Sequence, residues 1–205
     1  MKLGRSAIVL VVVGSLALCG NARAVQKKPQ SKPKPAAAQP AGDETKGMQD
    51  ATPGAEHANL ARLAGEYTTS TKLFMTPGAP PQDSAGEAKL WMTLDGRFLS
   101  EDDSGMFFGQ PTKGFKMVGY NNASKRYEGI WTYTMSTSIM TLNGTSKDGG
   151  KTITFGASFD DPAGKQKLDI VMRKTDDDHF VVELSGKTAD GKPGPRLETV
   201  YTRKK

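Results

Sequence analysis

The chain is poor in the side chains on which most nucleophilic and metal-dependent chemistry relies. It has one cysteine and two histidines among 205 residues, and the cysteine, Cys19, lies in a segment that we expect to be removed. A mature chain without cysteine has no disulfide, no thiol nucleophile and no thiolate metal site. His57 and His179, far apart in sequence, make a poor zinc site without cysteine, and no Gly-x-Ser-x-Gly motif marks a nucleophile. We therefore predict no catalytic residues, no metal ion and no cofactor.

Long apolar runs are also scarce. The one extended run covers residues 7–18, follows a positively charged start and precedes the small-x-small triplet Ala22-Arg23-Ala24. This pattern predicts a signal peptide over residues 1–24, cleaved after Ala24. The run is shorter than the ~20 residues of a membrane-spanning helix, so we expect no stable membrane insertion. The protein is therefore expected to be periplasmic or secreted.

Cys19 offers an alternative to simple cleavage. The segment Leu16-Ala17-Leu18-Cys19-Gly20 has the outline of a bacterial lipobox, which would attach lipid to Cys19. A lipobox has a small residue immediately before the cysteine, where this chain has the bulky Leu18. We therefore favour a cleaved signal peptide over a lipoprotein.

The segment that follows the signal peptide has few large apolar side chains. Residues 25–52 are rich in lysine, proline, alanine and glutamine. Proline removes backbone donors and like charges extend a chain, so the composition predicts a disordered linker with polyproline character. From residue 51 onward the chain holds 20 basic and 19 acidic residues. Nucleic-acid binding depends on clustered basic charge, so this balance indicates that nucleic acid is not a partner.

The remaining residues, 53–205, are predicted to form a single all-β domain. Alternation is clearest where Ile153, Phe155, Ala157 and Phe159 share one face of a strand, a period of two that is typical of half-buried antiparallel sheet. Short turns separate the strands, and Leu94-Asp95-Gly96-Arg97 is the strongest hairpin signal among them. We predict ten strands, at residues 66–75, 86–94, 97–107, 114–120, 126–133, 139–145, 152–159, 167–174, 179–186 and 196–203.

Sequential strands with short turns favour an up-and-down antiparallel barrel of about ten strands. A short N-terminal helix, with Pro53 near its start and Leu60 and Leu63 on its apolar side, is expected to plug one end before Gly65 ends it. We expect the inward side chains to be Leu90, Met92, Phe115, Met117, Trp131, Tyr133, Phe155, Phe159, Leu168, Ile170, Met172, Phe180, Val182 and Leu184.

A barrel of this size is either filled by its own side chains or encloses one small ligand. Methionine and aromatic side chains suit both a plain core and an adaptable apolar pocket, so the pattern leaves the two open. If a pocket exists, the residues that we expect to form its walls and bind the ligand are Trp91, Trp131, Tyr133, Phe155 and Phe159.

The three consecutive acids Glu101, Asp102 and Asp103 interrupt a predicted strand. Such an interruption is compatible with a β-bulge, an edge kept from pairing or a polar barrel mouth. Two carboxylates can perform acid–base chemistry when their environments separate their pKa values. These acids therefore support an alternative in which the protein is a hydrolase.

Several short motifs together resemble the bacterial "domain of unknown function 1579" family between residues 53 and 203. They are Pro53-Gly54-Ala55-Glu56-His57-Ala58-Asn59-Leu60, Leu63-Ala64-Gly65-Glu66-Tyr67, Leu94-Asp95-Gly96-Arg97-Phe98-Leu99, Val118-Gly119-Tyr120-Asn121, Lys125-Arg126-Tyr127 with Trp131, and Glu198-Thr199-Val200-Tyr201-Thr202-Arg203. Their order and spacing carry the likeness. The resemblance implies a lipocalin-like barrel, often exported, with no established activity.

These observations lead to one preferred hypothesis and two alternatives. The preferred one is an exported, non-enzymatic barrel that binds a small apolar or amphipathic molecule. The first alternative is a structural protein of the cell envelope, positioned by the lysine- and proline-rich linker. The second is a hydrolase that uses carboxylates at the barrel mouth. The sequence leaves the ligand and the oligomeric state open.

Overall fold

The computed structural model describes residues 47, 50–76, 78–162, 164–187 and 192–205. The predicted signal peptide, Cys19 and nearly all of the predicted linker lie outside the described residues. Within the described ranges, no helix has the length and apolar character needed to span a bilayer. A short helix precedes ten strands: α1 (Ala55–Ala61), β1 (Gly65–Phe74), β2 (Gln82–Thr93), β3 (Phe98–Phe107), β4 (Gln110–Asn121), β5 (Arg126–Tyr133), β6 (Met140–Ser146), β7 (Thr152–Asp161), β8 (Gly164–Lys174), β9 (His179–Lys187) and β10 (Pro193–Arg203).

The ten strands form one closed antiparallel barrel. Each strand pairs with the strands before and after it in sequence, and β1 pairs with β10 to complete the circle. Closure satisfies the backbone groups that an open sheet would leave at its edges. The predicted all-β, up-and-down barrel of ten strands with a short N-terminal helix is confirmed.

Helix α1 covers one end of the barrel, which we call the helix end. Its first turn is capped by His57, whose Nδ1 accepts a hydrogen bond of 3.0 Å from the backbone N–H of Gly54. Leu60 is 1% exposed, Leu63 is 6% exposed, and both belong to the barrel core. The helix and the residues just after it therefore seal this end with apolar side chains, as the sequence predicted. The opposite end, where β1 leads into β2 and β3 into β4, is called the mouth.

The last residues of the predicted linker, residues 25–52, contact the barrel. Asn122 Nδ2 donates hydrogen bonds to the backbone carbonyls of Asp50, at 2.9 Å, and Thr52, at 2.8 Å. Arg97 Nε donates to the carbonyl of Ala51 at 3.1 Å. Polar composition hides this attachment, because it uses backbone carbonyls rather than side chains. Residues 50–52 are therefore attached to the helix end of the barrel by hydrogen bonds.

The interior follows the predicted alternation with one exception. On β4 the predicted inward residues Phe115 and Met117 lie on the outer face. Lys116, which lies between them, faces inward because its cross-strand partners, Glu101 of β3 and Trp131 of β5, both face inward. The prediction assumed that the apolar members of this segment must be internal. All other predicted inward side chains lie in the core or pack against it.

Several strands extend further toward the mouth than predicted. The largest differences are at the start of β2 and at the start of β4. Strands β3 and β4 are joined by only Phe108 and Gly109, which have φ angles of 51° and 72°. Both residues therefore have the left-handed backbone of a tight hairpin, although phenylalanine is not a residue that indicates such a turn.

The seal at the helix end provides a test of the fold. We expect Leu60→Ala to lower the free energy of unfolding by about 2–5 kcal/mol, the usual result of truncating a buried leucine. The matched control is Leu94→Ala, because Leu94 is 62% exposed in the β2–β3 turn and its truncation should change stability by less than about 0.5 kcal/mol. Urea unfolding followed by circular dichroism measures both. Equal effects of the two changes would contradict the position of α1.

Candidate functional site

A cavity of about 290 Å³ occupies the half of the barrel interior that lies toward the mouth. Apolar side chains from strands around the barrel form most of its wall. The large ones are Leu73, Met106, Phe107, Trp131, Tyr133, Met135, Met140, Phe159, Leu168, Val182, Leu184 and Leu197. The half toward α1 is filled by the packed core and contains a smaller void of about 50 Å³.

The inner end of the cavity is formed around a buried ammonium group. Lys116 on β4 lies directly opposite Glu101 on β3, and its Nζ is 2.7 Å from Glu101 Oε1. Lys116 Nζ also donates to the hydroxyl oxygen of Tyr201 at 3.2 Å, and that hydroxyl donates to Glu101 Oε1 at 2.9 Å. The side chains of Lys116 and Glu101 are 15% and 10% exposed. The three groups form a closed triangle that joins β10 to β3 and β4.

Aromatic rings complete the environment of this ammonium. Lys116 Nζ lies 4.9 Å from the centroid of the Trp131 ring and 5.7 Å from that of Tyr201. The negative face of an aromatic ring attracts a cation at these distances, and the attraction is stronger when water is excluded. The indole of Trp131 therefore serves as both cavity wall and support for the charge.

The cluster fixes the protonation of two of its members. Burial alone would lower the pKa of Lys116, but Glu101, Tyr201 and Asp103 together raise it well above its ordinary value. Burial, followed by the charge of Glu101, raises the pKa of Tyr201. Lys116 is therefore a permanent ammonium and Tyr201 a neutral phenol near neutral pH. Neither is a nucleophile in this state.

Asp103 lies on the same strand and face as Glu101, one step closer to the mouth. Its neighbour across the strand pair is Gly114, and a Cβ at position 114 would lie only 2.7 Å from Asp103 Oδ1. Glycine at this position therefore makes room for the carboxyl group. Asp103 Oδ2 is 4.0 Å from Lys116 Nζ, too far for a hydrogen bond. Burial raises the pKa of Asp103, although the nearby Lys116 acts in the opposite direction.

Two buried polar atoms at the inner end of the cavity have no hydrogen-bond partner among the described residues. They are the carboxylate oxygen Asp103 Oδ2 and the indole nitrogen Trp131 Nε1, and both residues line the cavity. Buried polar groups are almost always paired, and an unpaired one costs about 1–3 kcal/mol. Both atoms are enclosed by protein although the cavity is empty, so neither is offered to a group that enters it.

Three of the predicted wall residues, Trp131, Tyr133 and Phe159, line the cavity. Phe155 lies deeper and borders the smaller void. The placement of Trp91 is wrong, because it alternates with the inward residues Leu90 and Met92 of β2 and so lies on the outer face. Whether the lining residues bind a ligand stays a prediction.

The sequence reasoning missed Lys116 and Tyr201 as parts of the site, and it named Asp103 only within the hydrolase alternative. A signal for Glu101 was nevertheless present. The Asp95-Gly96 turn sets a register in which Leu90 pairs with Glu101, so an inward Leu90 requires an inward Glu101. Because an unpaired charge is costly in the interior, a buried carboxylate at position 101 predicts a cationic partner on a neighbouring strand.

The two histidines do not contribute to the cavity. His57 caps α1, and burial lowers its pKa. His179 begins β9 at the helix end, where its ring Nδ1 lies 2.8 Å from Asp176 Oδ1 in the β8–β9 turn. Across the described part of the chain, no group of three or more histidine, cysteine and acidic side chains is arranged to hold a metal ion.

Fold and interior together define a small closed antiparallel β-barrel with an internal cavity. The chain belongs to the family described as "Protein of unknown function (DUF1579)", whose model matches residues 52–203. This confirms the resemblance found in the sequence. No curated protein matches the chain.

Solved structures with a similar barrel include Rv2717c from M. tuberculosis, which is 16% identical with a TM-score of 0.55 over 73% of this chain and 98% of that chain. That likeness supports the barrel fold. The S-type phycobiliprotein lyase CPES from Guillardia theta is 12% identical, with a TM-score of 0.49 over 71% of this chain and 90% of that chain. A fluorescence-activating β-barrel designed de novo is 11% identical, with a TM-score of 0.39 over 71% of this chain and 98% of that chain.

The buried ion pair can be tested by a double-mutant cycle. We expect Lys116→Met to lower the free energy of unfolding by about 3–5 kcal/mol, because it leaves Glu101 charged and unpaired in the interior. Adding Glu101→Gln to Lys116→Met should recover part of that loss. Urea unfolding of the single and double variants gives the coupling energy.

The exposed ion pair between Lys72 and Asp83 serves as the control, since their side chains are 49% and 69% exposed. Lys72→Met should cost less than about 1 kcal/mol. An equal loss for Lys116→Met and Lys72→Met would show that the ammonium of Lys116 is not buried in solution.

Asp103 provides a pH-dependent test. Its raised pKa means that the ionised carboxylate is less favourable in the folded than in the unfolded chain. Asp103→Asn should therefore raise the free energy of unfolding at pH 7, and this advantage should disappear as the pH falls below the ordinary aspartate pKa of 3.8. Thermal unfolding between pH 3 and pH 7 measures the effect. Asp102→Asn, on the exposed outer face of the same strand, is the matched control and should show no such trend. A loss of stability in Asp103→Asn at pH 7 would contradict the assignment.

Proposed function

We propose that this protein is an exported, non-enzymatic barrel that binds a small amphipathic molecule in its cavity. The apolar body of the molecule lies against the wall, and its polar group lies at the inner end. The observation that carries the proposal is the cavity itself, which has a largely apolar wall and a cluster of charged and polar side chains, Lys116, Glu101 and Tyr201, at its inner end. Ligand pockets commonly combine an apolar lining with a few converging polar groups.

The size of the cavity favours a ligand over a plain core. Protein interiors are close-packed, and voids larger than a water molecule are few. A space of about 290 Å³ lies near the lower end of the range for small-molecule sites, about 300–1,000 Å³. Such a space accommodates a small molecule rather than a large cofactor.

The mouth has the character expected of an entrance for an apolar molecule. Five of the large apolar side chains that are exposed in the described ranges lie on the strand ends and connections around it, namely Met75, Met106, Phe108, Met135 and Ile139. Methionine side chains adapt easily to different apolar shapes. The rim therefore offers an apolar surface that leads directly into the cavity.

The arrangement of the acids favours binding over catalysis. Glu101 is held by Lys116 and Tyr201 through the same oxygen, and Asp102 faces the outside of the barrel. The predicted group of three carboxylates at the mouth is therefore divided between two faces. Acid–base catalysis needs two such groups directed at one reacting bond, and the hydrolase alternative is accordingly less favoured.

Export is part of the proposal and is supported by the signal-peptide pattern of residues 1–24. The envelope-protein alternative depends on the linker, which lies almost wholly outside the described residues. The cavity, by contrast, belongs to the barrel itself. We therefore take ligand binding as the function to test first.

The chain has two tryptophans, one on each face of the barrel, and they allow a direct test. In a Trp91→Phe variant the emission reports only Trp131 in the cavity, and in a Trp131→Phe variant it reports only Trp91 on the outer face. We expect titration with eight-carbon amphiphiles (1-octanol, octylamine and octanoate, below micelle-forming concentrations) to change the emission of Trp131 saturably and leave that of Trp91 unchanged. Saturable changes at Trp91 alone, or no change at Trp131 with any of the three, would refute binding in the cavity.

A further inference from the structure

The wall of the cavity differs from one side of the barrel to the other, because one side carries hydroxyl groups. Thr69 and Thr71 on β1 and Ser84 on β2 are half-buried and line the cavity. Thr71 lies directly opposite Ser84 across this strand pair, and Thr69 lies opposite Gly86. The hydroxyls therefore occupy successive inward-facing positions on two adjacent strands, on the way from the inner end to the mouth.

The hydroxyls of Thr69 and Ser84 are open to the cavity and have unused hydrogen-bonding capacity. Neither makes a hydrogen bond to another described residue, and neither belongs to the enclosed, unpaired polar atoms of the described ranges. An unpaired oxygen that is not enclosed, on a side chain that faces inward, is accessible from the cavity. Thr71 differs from them, because its Oγ1 lies 3.0 Å from Thr199 Oγ1 and the two hydroxyls pair with each other.

Two glycines keep this side of the cavity uncovered. Gly86 on β2 and Gly105 on β3 face inward, lie directly opposite each other and line the cavity. A Cβ at position 86 would lie only 2.9 Å from Thr69 Oγ1. Any larger residue there would crowd this hydroxyl, so the glycine leaves it free to meet a ligand.

The opposite side of the cavity is apolar. In the ring of ten strands, β1 and β2 lie opposite β6 and β7, which contribute Met140 and Phe159 to the wall, and the neighbouring β5 contributes Trp131 and Tyr133. A bound molecule therefore has aromatic rings and a thioether on one side and free hydroxyls on the other. A molecule with a polar group only at its head would cover those hydroxyls with its alkyl chain and leave them unpaired, which is unfavourable.

The two free hydroxyls lie at different depths. Thr69 is in the row of Tyr201 at the inner end, and Ser84 is in the next row toward the mouth. Successive inward positions are about 6.6 Å apart along a strand, and a strand tilt of about 35–45° makes the two rows about 5 Å apart along the barrel axis. This separation is close to the length of about four carbon–carbon bonds in an extended alkyl chain.

We propose, on the basis of the binding function above, that the cavity selects a ligand with a hydroxyl group part-way along its body in addition to its polar head. Thr69 and Ser84 each provide a partner for such a group, because serine and threonine hydroxyls both donate and accept hydrogen bonds. The apolar side of the ligand packs against β5, β6 and β7. The ligand is therefore a neutral oxygenated hydrocarbon, such as a diol, rather than a simple fatty acid or a simple alcohol.

The test compares 1,2-octanediol with 1,5-octanediol. The two isomers have the same formula and a hydroxyl at the head, and they differ only in where the second hydroxyl lies along the chain. Isothermal titration calorimetry with the unmodified protein at pH 7 gives both dissociation constants without reliance on any variant. We expect 1,5-octanediol to bind about 2- to 10-fold more tightly, which corresponds to one additional net hydrogen bond.

A double variant assigns the preference to its residues. Thr69→Val combined with Ser84→Ala removes both free hydroxyls with little change in side-chain shape, and it should abolish the preference for 1,5-octanediol. Binding of 1-octanol, which has no second hydroxyl, should not be weakened. The matched control combines Thr68→Val with Ser70→Ala on the exposed outer face of β1, and it should leave the preference unchanged.

The outcomes separate this inference from the binding function on which it rests. Equal affinity for the two isomers in the unmodified protein would overturn the selectivity and leave binding in the cavity intact. A preference that survives the loss of both hydroxyls would overturn the role of Thr69 and Ser84. If neither diol nor 1-octanol binds, both the selectivity and the proposed function are wrong.

Discussion

The arrangement of the barrel interior depends on the buried ammonium group of Lys116. A charge cannot remain unpaired in a space from which water is largely excluded, and this one receives Glu101 from the adjacent strand and Tyr201 from β10. The cluster also divides the interior. Apolar side chains and α1 fill the half below it, whereas the half above it stays open. The position of the cavity is therefore set by where the chain places one lysine on β4.

Glu101 and Asp103 show how neighbouring carboxylates on one face acquire different roles. Glu101 is satisfied by an ammonium and a phenol within 2.9 Å, so it is part of the permanent structure. Asp103 is one step closer to the mouth, beyond hydrogen-bond reach of Lys116, and lies over a glycine that leaves it space. Asp103 is therefore a buried acid, and its Oδ2 has no hydrogen-bond partner among the described residues.

Local pattern predicted the fold well and the site only in part. Alternation in β7 and the Asp95-Gly96 turn specified strands and register, since both follow from the pleat and from backbone geometry. On β4 hydrophobicity was misleading: Phe115 and Met117 lie outside because the register with β3 and β5 places Lys116 inside. Hydrophobicity likewise suggested an internal Trp91. The face on which a side chain lies depends on the register with neighbouring strands, which the sequence of one strand does not give. The sequence therefore predicted three residues of the apolar cavity wall but did not predict the charged cluster at its inner end.

The last residue of β10 contacts the segment that precedes β1. Arg203 Nη1 donates to the carbonyl of Ala64 at 2.6 Å, Nη2 donates to that of Arg62 at 2.9 Å, and the guanidinium stacks over Tyr67. The C-terminal end of the barrel is therefore held beside the residues that join α1 to β1, at the end remote from the mouth. Immobilisation through the C-terminus would leave the entrance of the cavity unobstructed.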